Sequence, residues 1–432
     1  MIRILDLYCG MGGLSLGFLL ALDGVEVHGL DVDRHAVETY NLNLGRLGGV
    51  AKVQDVLEWV PDGDYDVVMG GSPCQPFTIA NNRRPCEQHP YFPTFPKFFD
   101  VILSLRPKVF VLENVKGLMM ERNRTHFLRQ IGRVADSYCV EYDVLNAADY
   151  GVPQRRERLF VIGIRRDLRV RPSFPRPTHA KDEAVTVDGV KIHRWVTLKE
   201  AIGDLLSIPP PSRVFLMPSQ VERIAREREN TSGKYWGEMD FPDSLDKPSR
   251  TISSHTIEGV KKETIVLAWT AYQAKHPPLS PDEPSRAITS HLAKASRDGL
   301  VPVLAEHVTT GLDPEKVWMS DWGSRVMNYD RPSYTITEKH RSGQLLPIVY
   351  RRLTVRECLR LQSFPDWWSF PDSVSASKKY KLVGEAVPPI LAYRVAVALA
   401  KTLGLETREP PREDEWSLPY FRRAFADYYD SG

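Results

Sequence analysis

Between residues 1 and 172, short apolar runs alternate with segments whose apolar positions recur every three or four residues. The runs IRILDLY (2–8), VEVHGLD (25–31), VAKVQDV (50–56), YDVVMGG (65–71), KVFVLENV (108–115), CVEYDVLN (139–146) and ERLFVIGI (157–164) predict seven strands. GLSLGFLLAL (13–22), RHAVETYNLNL (34–44), FPKFFDVILSLR (95–106) and THFLRQIGRVADS (125–137) predict the helices between them. Near-continuous apolar strands separated by helices imply an α/β fold, a mostly parallel sheet covered on both faces. Ligands of such sheets gather beyond the carboxyl ends of the strands.

After about residue 172 the pattern breaks. Proline becomes frequent (RPSFPRPTHA, SIPPPSR) and the helical period fades. One phrase recurs as DKPSRTISSH (246–255), DEPSRAITSH (282–291) and DRPSYTITEKH (330–340), each an Asp-x-Pro-Ser turn signal followed by a short alternating run. This predicts a repeated turn–strand element in a smaller β-rich domain. A nucleic-acid-facing rim would carry Arg250, His255, Arg286, His291 and His340; a metal site on the three histidines lacks close spacing and cysteine partners. From 351 the alternating order returns with RRLTVRECLRLQSFP, then KYKLVGEAVPPILAYRVAVALAKTL, a long apolar helix entered through two prolines. Such a helix is too hydrophobic to stand alone and should pack back on the first domain. The expected layout is a discontinuous domain, 1–172 plus 348–405, an inserted domain 173–347 and a surface-packed tail 406–432.

Composition adds boundaries. With 42% hydrophobic and 26% charged residues among 432, the chain reads as a globular protein. No apolar run approaches the ~18 residues of a membrane span, and MIRILDLYCG runs straight into a strand pattern without a secretion signal. Five scattered cysteines point to a reducing, cytoplasmic setting. The net charge of +2 says little about nucleic acid. The arginines of QRRERLFVIGIRRDLRVRPSFPR (154–176) suit phosphate contacts, although a charge run alone reads as a solvated face.

Candidate chemistry begins at DLYCGMGGLSLGF (6–18). Gly10, Gly12 and Gly13 allow a tight turn between strand and helix and close approach of a ligand to backbone amides. Asp31 ends the second strand, about 20 residues on, where an acid can take ribose hydroxyls, and Asp55 ends the third. Together they suggest an adenosine-containing cofactor without choosing between NAD and S-adenosylmethionine.

That choice comes from SPCQPF (72–77), ENV (113–115), QRRER (154–158), RLTVRECLRLQSFP and GEAVPP in that order. Over 1–172 and 348–400 the chain closely resembles the cytosine-5 DNA methyltransferases, of the microbial restriction-modification type. The resemblance implies a class I methyltransferase sheet of seven strands, an inserted target-recognition domain and S-adenosylmethionine as cofactor, leaving S-adenosylhomocysteine. It makes Cys74 the nucleophile on carbon-6 of a flipped-out cytosine. Glu113 would hold ring nitrogen N3 and the exocyclic amine, one carboxyl oxygen being protonated. Arg156 and Arg158 would contact the cytosine carbonyl and support the thiolate.

For the cofactor the resemblance implies Tyr8 beside adenine, the backbone of Gly10, Met11, Gly12, Gly13 and Leu14 at the methionine part, and Asp31 on the ribose. Asp55 would take the adenine amine, with Val32, Val56 and Pro73 lining the pocket and Asp6, Glu385 and Val387 as further contacts. The family's usual Gly-Asn-x-Val is here Gly384-Glu385-Ala386-Val387, so a contact made by the amide of Asn does not transfer to Glu385. Gln75, Arg83, Arg84, Gln154, Arg155, Arg250 and Arg286 are the expected DNA contacts, and 77–95 the loop that closes over double-stranded DNA. A monomer is expected, with a restriction endonuclease as functional partner. Two alternatives stay open: the tRNA-methylating branch, whose Cys-Phe-Thr signature is missing because 173–347 holds no cysteine, and a catalytically inactive DNA-binding relative. A dehydrogenase would leave SPCQPF and QRRER unexplained. Cys9, Cys139 and Cys358 read as packing residues, and Cys86 with His89 as half a metal site with no visible second half.

Overall fold

Strand β1 (Ile2–Leu7) pairs in parallel with β2 (Val25–Asp31) on one side and β4 (Val67–Gly70) on the other. The sheet continues to β3 (Gly49–Val53) beyond β2, and to β5 (Val109–Asn114), β7 (Glu157–Arg165) and β6 (Tyr138–Asn146) beyond β4. Its order is β3-β2-β1-β4-β5-β7-β6, with only the β5–β7 and β7–β6 pairings antiparallel. All seven expected strands occur. The computed structural model describes residues 1–78, 85–181, 186–187, 190–207, 248–249, 266–269 and 349–429.

Burial explains the strand sequences. Every residue of β4 and β5 is buried, which is why neither alternates, whereas edge strand β3 exposes Val50 and Val53. The order in which successive strands are added reverses between the parallel neighbours β1 and β4, so their carboxyl ends open a crevice at the switch point. The helices are α1 (Gly13–Ala21), α2 (Arg34–Leu44), α3 (Thr94–Leu105) and α4 (Glu121–Val134). Helix α4 begins at Glu121 rather than at 125, because the short turn Lys116–Met119 delivers the chain there and an acid suits a first turn.

The chain divides into two compact units: Met1–Ala201 with Lys247–Ile252 and Cys358–Gly432, and Ile202–Asp246 with Ser253–Glu357. The first unit runs past the composition change at 172 because the proline-rich stretch stays bonded to it. Thr178 N donates to Asp149 O at 2.9 Å and Trp195 Nε1 to Asp149 Oδ1 at 2.8 Å. Beyond α5 (Leu198–Ile202) and α6 (Val355–Leu361), the first unit continues with α7 (Ala376–Glu385) and α8 (Pro389–Leu403). In the second unit, Val266–Trp269 pairs antiparallel with Val349–Arg352. The three Asp-x-Pro-Ser phrases lie outside the described residues except Pro248 and Ser249.

Contrary to the sequence expectation, one stretch, Ala376–Leu403, is long and apolar enough to cross a membrane. Its most apolar 18-residue window has a mean hydropathy of 1.5 but is 83% buried in protein. Helix α8 packs on α1, all of whose residues are buried. On the tail beyond residue 405, Trp416 and Phe425 are wholly buried against Tyr393, and Arg394 makes a two-pronged ion pair with Asp427 at 2.7 Å. The tail therefore completes a core instead of decorating a surface. All five cysteines are free thiols.

Candidate active site

Strand β4 delivers Gly71-Ser72-Pro73-Cys74 to the crevice. Cys74 caps a single turn, Gln75–Phe77, whose second residue is Pro76, and Pro73 precedes it, so the backbone on both sides of the thiol is restricted. The neighbouring strand end is fastened to it: Asn114 Nδ2 donates to Ser72 O at 3.0 Å and to Ser72 Oγ at 3.1 Å. Glu113 then projects beside Cys74. A Cβ on Gly71 would stand 3.0 Å from Glu113 Oε2, so any side chain there would crowd the carboxylate that lies against the backbone. Asn114 and Gly71 were not singled out from the sequence, although both sit inside the quoted runs ENV and YDVVMGG.

Antiparallel pairing brings the start of β7 to the same end, since Asn114 faces Leu159. Arg158 Nε meets Glu113 Oε1 at 3.0 Å, with both side chains mostly buried. Arg156 has another assignment. It is 2% exposed, and its guanidinium donates to Gly384 O at 3.2 Å and Ala386 O at 2.9 Å. It thus latches the turn after α7, which carries Glu385 and Val387, onto the sheet. Arg156→Ala is expected to lower the unfolding free energy by about 3 kcal/mol, since it leaves buried carbonyls unmatched. Denaturant unfolding checks this, and an unchanged midpoint would refute the latch.

Burial sets the electrostatics. It pushes the Glu113 carboxyl above its ordinary range, opposed by Arg158 and Arg156. It also raises the Cys74 thiol; Arg158 and Arg156 pull it down, while Glu113 and Glu385 push it up. The arginines thus support the thiolate in sign, yet burial wins in the unliganded protein.

The glycine turn lies at the end of β1. Gly10 and Gly12 take positive φ, 54° and 96°, and nothing lies within 4 Å of where a Cβ on Gly10 would stand. Asp31 holds the turn: Oδ2 accepts from Gly10 N and Oδ1 from Asp33 N, each at 2.8 Å. Asp55 caps the turn after β3 by accepting from Leu57 N at 2.8 Å. Tyr8 donates its hydroxyl to Thr94 O at 2.8 Å. Met11, Leu14, Val56 and Val387 are buried, whereas Val32 is 70% exposed. An open backbone cradle flanked by two carboxylates fits an adenosine cofactor with a charged amino-acid tail.

Asp6 is buried, accepts from Ser15 Oγ at 2.5 Å, and its Oδ1 has no hydrogen-bond partner among the described residues. Burial raises its pKa from 3.8 to about 7. A carboxyl raised on folding stabilises below its unfolded value and loses that contribution as pH climbs through the folded value. The cofactor-free protein should therefore lose up to about 4 kcal/mol of stability across that window. Asp6→Asn should flatten the loss, and equal pH slopes for the two proteins in thermal unfolding would refute it.

The DNA-facing expectations divide. Arg155 is exposed, and Gln75 is half-buried with Oε1 lacking a partner among the described residues. Gln154 is a correction: it is fully buried, with Nε2 on Leu361 O at 3.2 Å, and cannot reach DNA. Arg83, Arg84, Arg250 and Arg286 lie outside the described residues.

Residues 2–401 match the model of the family described as C-5 cytosine-specific DNA methylase. The chain belongs to that family. It is a DNA cytosine-5 methyltransferase that uses S-adenosylmethionine. It is 28% identical to the type II methyltransferase M.BspRI of Lysinibacillus sphaericus, over 92% of this chain and 81% of that one. It is 29% identical to the type II methyltransferase M.MthTI of Methanothermobacter thermautotrophicus, over 93% and 97% of the two chains. Among solved structures, S. pombe Dnmt2 methyltransferase matches at TM-score 0.57 and 16% identity over 94% of the methyltransferase and 99% of that chain. A Spodoptera frugiperda DNMT2 mutant matches at 0.56 and 18% over 94% and 100%. At those identities the likeness speaks for the fold alone, and it agrees with the seven-stranded sheet.

Proposed function

We propose that this methyltransferase modifies carbon-5 of a cytosine flipped out of a short duplex DNA sequence, through a covalent Cys74 adduct. The observation that carries the reading is the convergence of Cys74, Glu113 and Arg158 at adjacent ends of β4, β5 and β7, with Glu113 and Arg158 paired at 3.0 Å. Carbon-5 is a poor nucleophile while the ring is aromatic. The Cys74 thiolate adds to carbon-6, Glu113 gives a proton to N3, and the electron pair released to carbon-5 makes that atom nucleophilic. S-adenosylmethionine supplies the methyl group on a sulfonium. Loss of the carbon-5 proton to water then restores the double bond, expels the Cys74 sulfur as thiolate and returns the N3 proton to Glu113.

The raised carboxyl of Glu113 suits this exchange, because an acid that protonates readily in the cleft can hydrogen-bond N3. Arg158 stands beside it for the cytosine carbonyl, and Arg156 acts through the latched 384–386 turn. Asp31, Asp55, Tyr8 and the Gly10–Leu14 backbone border the cofactor, with Glu385 and Val387 closing its other side. Thiol attack on carbon-6 needs an unstacked base; Gln75 and Arg155 would meet the surrounding DNA, with Arg83 and Arg84 on phosphates.

The names of the type II relatives favour a restriction-modification role, with cytoplasmic, nucleoid DNA as substrate and a restriction endonuclease as genetic partner. DNA carrying 5-fluorocytosine, which has no carbon-5 proton to lose, tests the chemistry. A denaturation-resistant complex that needs cofactor is expected; its absence at saturating cofactor would overturn the adduct. Sequencing 5-methylcytosine in treated DNA identifies the target, and methylation of tRNA instead would move the enzyme to the tRNA branch.

A further inference from the structure

Among the described residues, one cluster of metal-donor side chains lies apart from the Cys74–Glu113–Arg158 convergence. Cys86 Sγ, a Glu87 carboxylate oxygen and a His126 ring nitrogen all fall within 4.8 Å of one another. His89, the sequence partner of Cys86, is turned elsewhere: its Nδ1 accepts from Tyr91 N at 3.2 Å. The nitrogen comes instead from α4, forty positions along the chain, a juxtaposition that only the tertiary fold supplies.

We propose that Cys86, Glu87 and His126 bind a borderline divalent cation of the zinc class, with water completing the coordination. A sulfur, a nitrogen and an oxygen donor together match zinc or cobalt(II), and they mismatch calcium and magnesium, which take oxygen ligands. The spacing needs little adjustment. His126 Nε2 meets Glu87 Oε1 at 2.6 Å, and Cys86 Sγ donates to Glu87 Oε2 at 3.4 Å. For a cation about 2.0–2.3 Å from each donor, the His–Glu pair must open by roughly 1 Å.

The frame that holds the donors is firm. Cys86 is 4% exposed and starts a single turn closed by His89 N on Cys86 O at 3.0 Å. The His126 ring packs edge-on to Phe92, with centroids 5.2 Å apart. Glu87 keeps 48% of its side-chain surface exposed, so an ion can enter and a water can remain. On binding, the Cys86 proton passes to solvent and the sulfur ligates as thiolate.

The consequence is mechanical. Arg122, one turn before His126, already donates to Thr78 O at 2.9 Å. His126 already pairs with Glu87, and a cation would strengthen that tie and extend it from α4 to Cys86.

The test is cobalt(II) titration of the purified, chelator-treated full chain, followed by absorption. One equivalent should give a thiolate-to-cobalt charge-transfer band in the near ultraviolet and visible bands of tetrahedral intensity. Cys86→Ser and His126→Ala should each abolish the band or weaken binding beyond the roughly 10–100-fold cost of an outer-shell loss, while Cys74→Ser should leave it intact. No band in the wild type, or a band that survives both substitutions, overturns the proposal. So does a band that disappears with Cys74→Ser, because the metal would then sit on the nucleophile. If the buried Cys86 variant fails to fold, the exposed Glu87→Gln decides, and unchanged cobalt affinity there counts against the site.

Discussion

Cys74→Ser is expected to reduce methyl transfer by at least about 10⁴-fold, the scale seen when a catalytic nucleophile is removed. The change is nearly isosteric, so the turn at Gln75–Phe77 and its packing should persist. The lost quantity is chemical: a hydroxyl in that position is far less acidic and less nucleophilic than a thiol. Cofactor and DNA binding should survive, while the 5-fluorocytosine complex should vanish. Transfer of radiolabelled methyl groups measures the loss, and residual activity within tenfold of wild type would remove Cys74 from the mechanism. Because burial raises the thiol in the free protein, alkylation of Cys74 should be slow at neutral pH and accelerate as pH rises.

Glu113→Gln is expected to lower kcat by roughly 10²–10⁴-fold, the usual worth of a positioned acid, with a much smaller change in KM for DNA. Glutamine keeps hydrogen-bonding atoms but cannot pass a proton to N3. Glu113 must be protonated to act and its carboxyl is raised on burial, so the wild-type rate should fall as pH climbs past that value. The variant should lack this limb. A second effect has the opposite sign. The Glu113 charge raises the Cys74 thiol while Arg158 and Arg156 lower it, so removing the carboxylate leaves the arginines opposed only by burial and Glu385. Cys74 in Glu113→Gln should therefore be alkylated faster at neutral pH even as turnover collapses. Slower alkylation together with slower turnover would indicate general damage to the cleft instead.

The sheet was legible because its signals are local. Buried strands such as YDVVMGG and KVFVLENV are apolar throughout, and the helices between them carry a clear period. Cys74 and Glu113 were placed at strand ends for the same reason, and burial agrees with that placement. What the sequence concealed depends on remote partners. Gln154 looked like a DNA-facing residue of an arginine-rich run, yet its amide is spent on Leu361 O. Arg156 and Arg158 looked equivalent, two residues apart. Antiparallel pairing with β5 turns one to Glu113, and a segment near 385 captures the other. His126 gave no sign of its neighbours, because a lone histidine on a helix says nothing of a cysteine forty residues back in another element. The apolar helix near the end of the chain is legible in the sequence, but the prolines at 388 and 389 hide that an 18-residue apolar window runs through them.

The Arg156 latch also orders events in time. Its carbonyl partner at Gly384 lies 228 residues further along the chain. A ribosome that has completed β7 has exposed the thiol, the carboxylate and both arginines, but not the turn that borders the cofactor. The nascent protein must hold that gap open while more than half of its length is still to be made, and closing so wide a loop is a slow, late step. Methylating competence should appear only when α8 emerges, all at once. A cell that cuts the gene within the inserted unit would hold two inert fragments, and mixing them should restore activity only through reassembly across this latch.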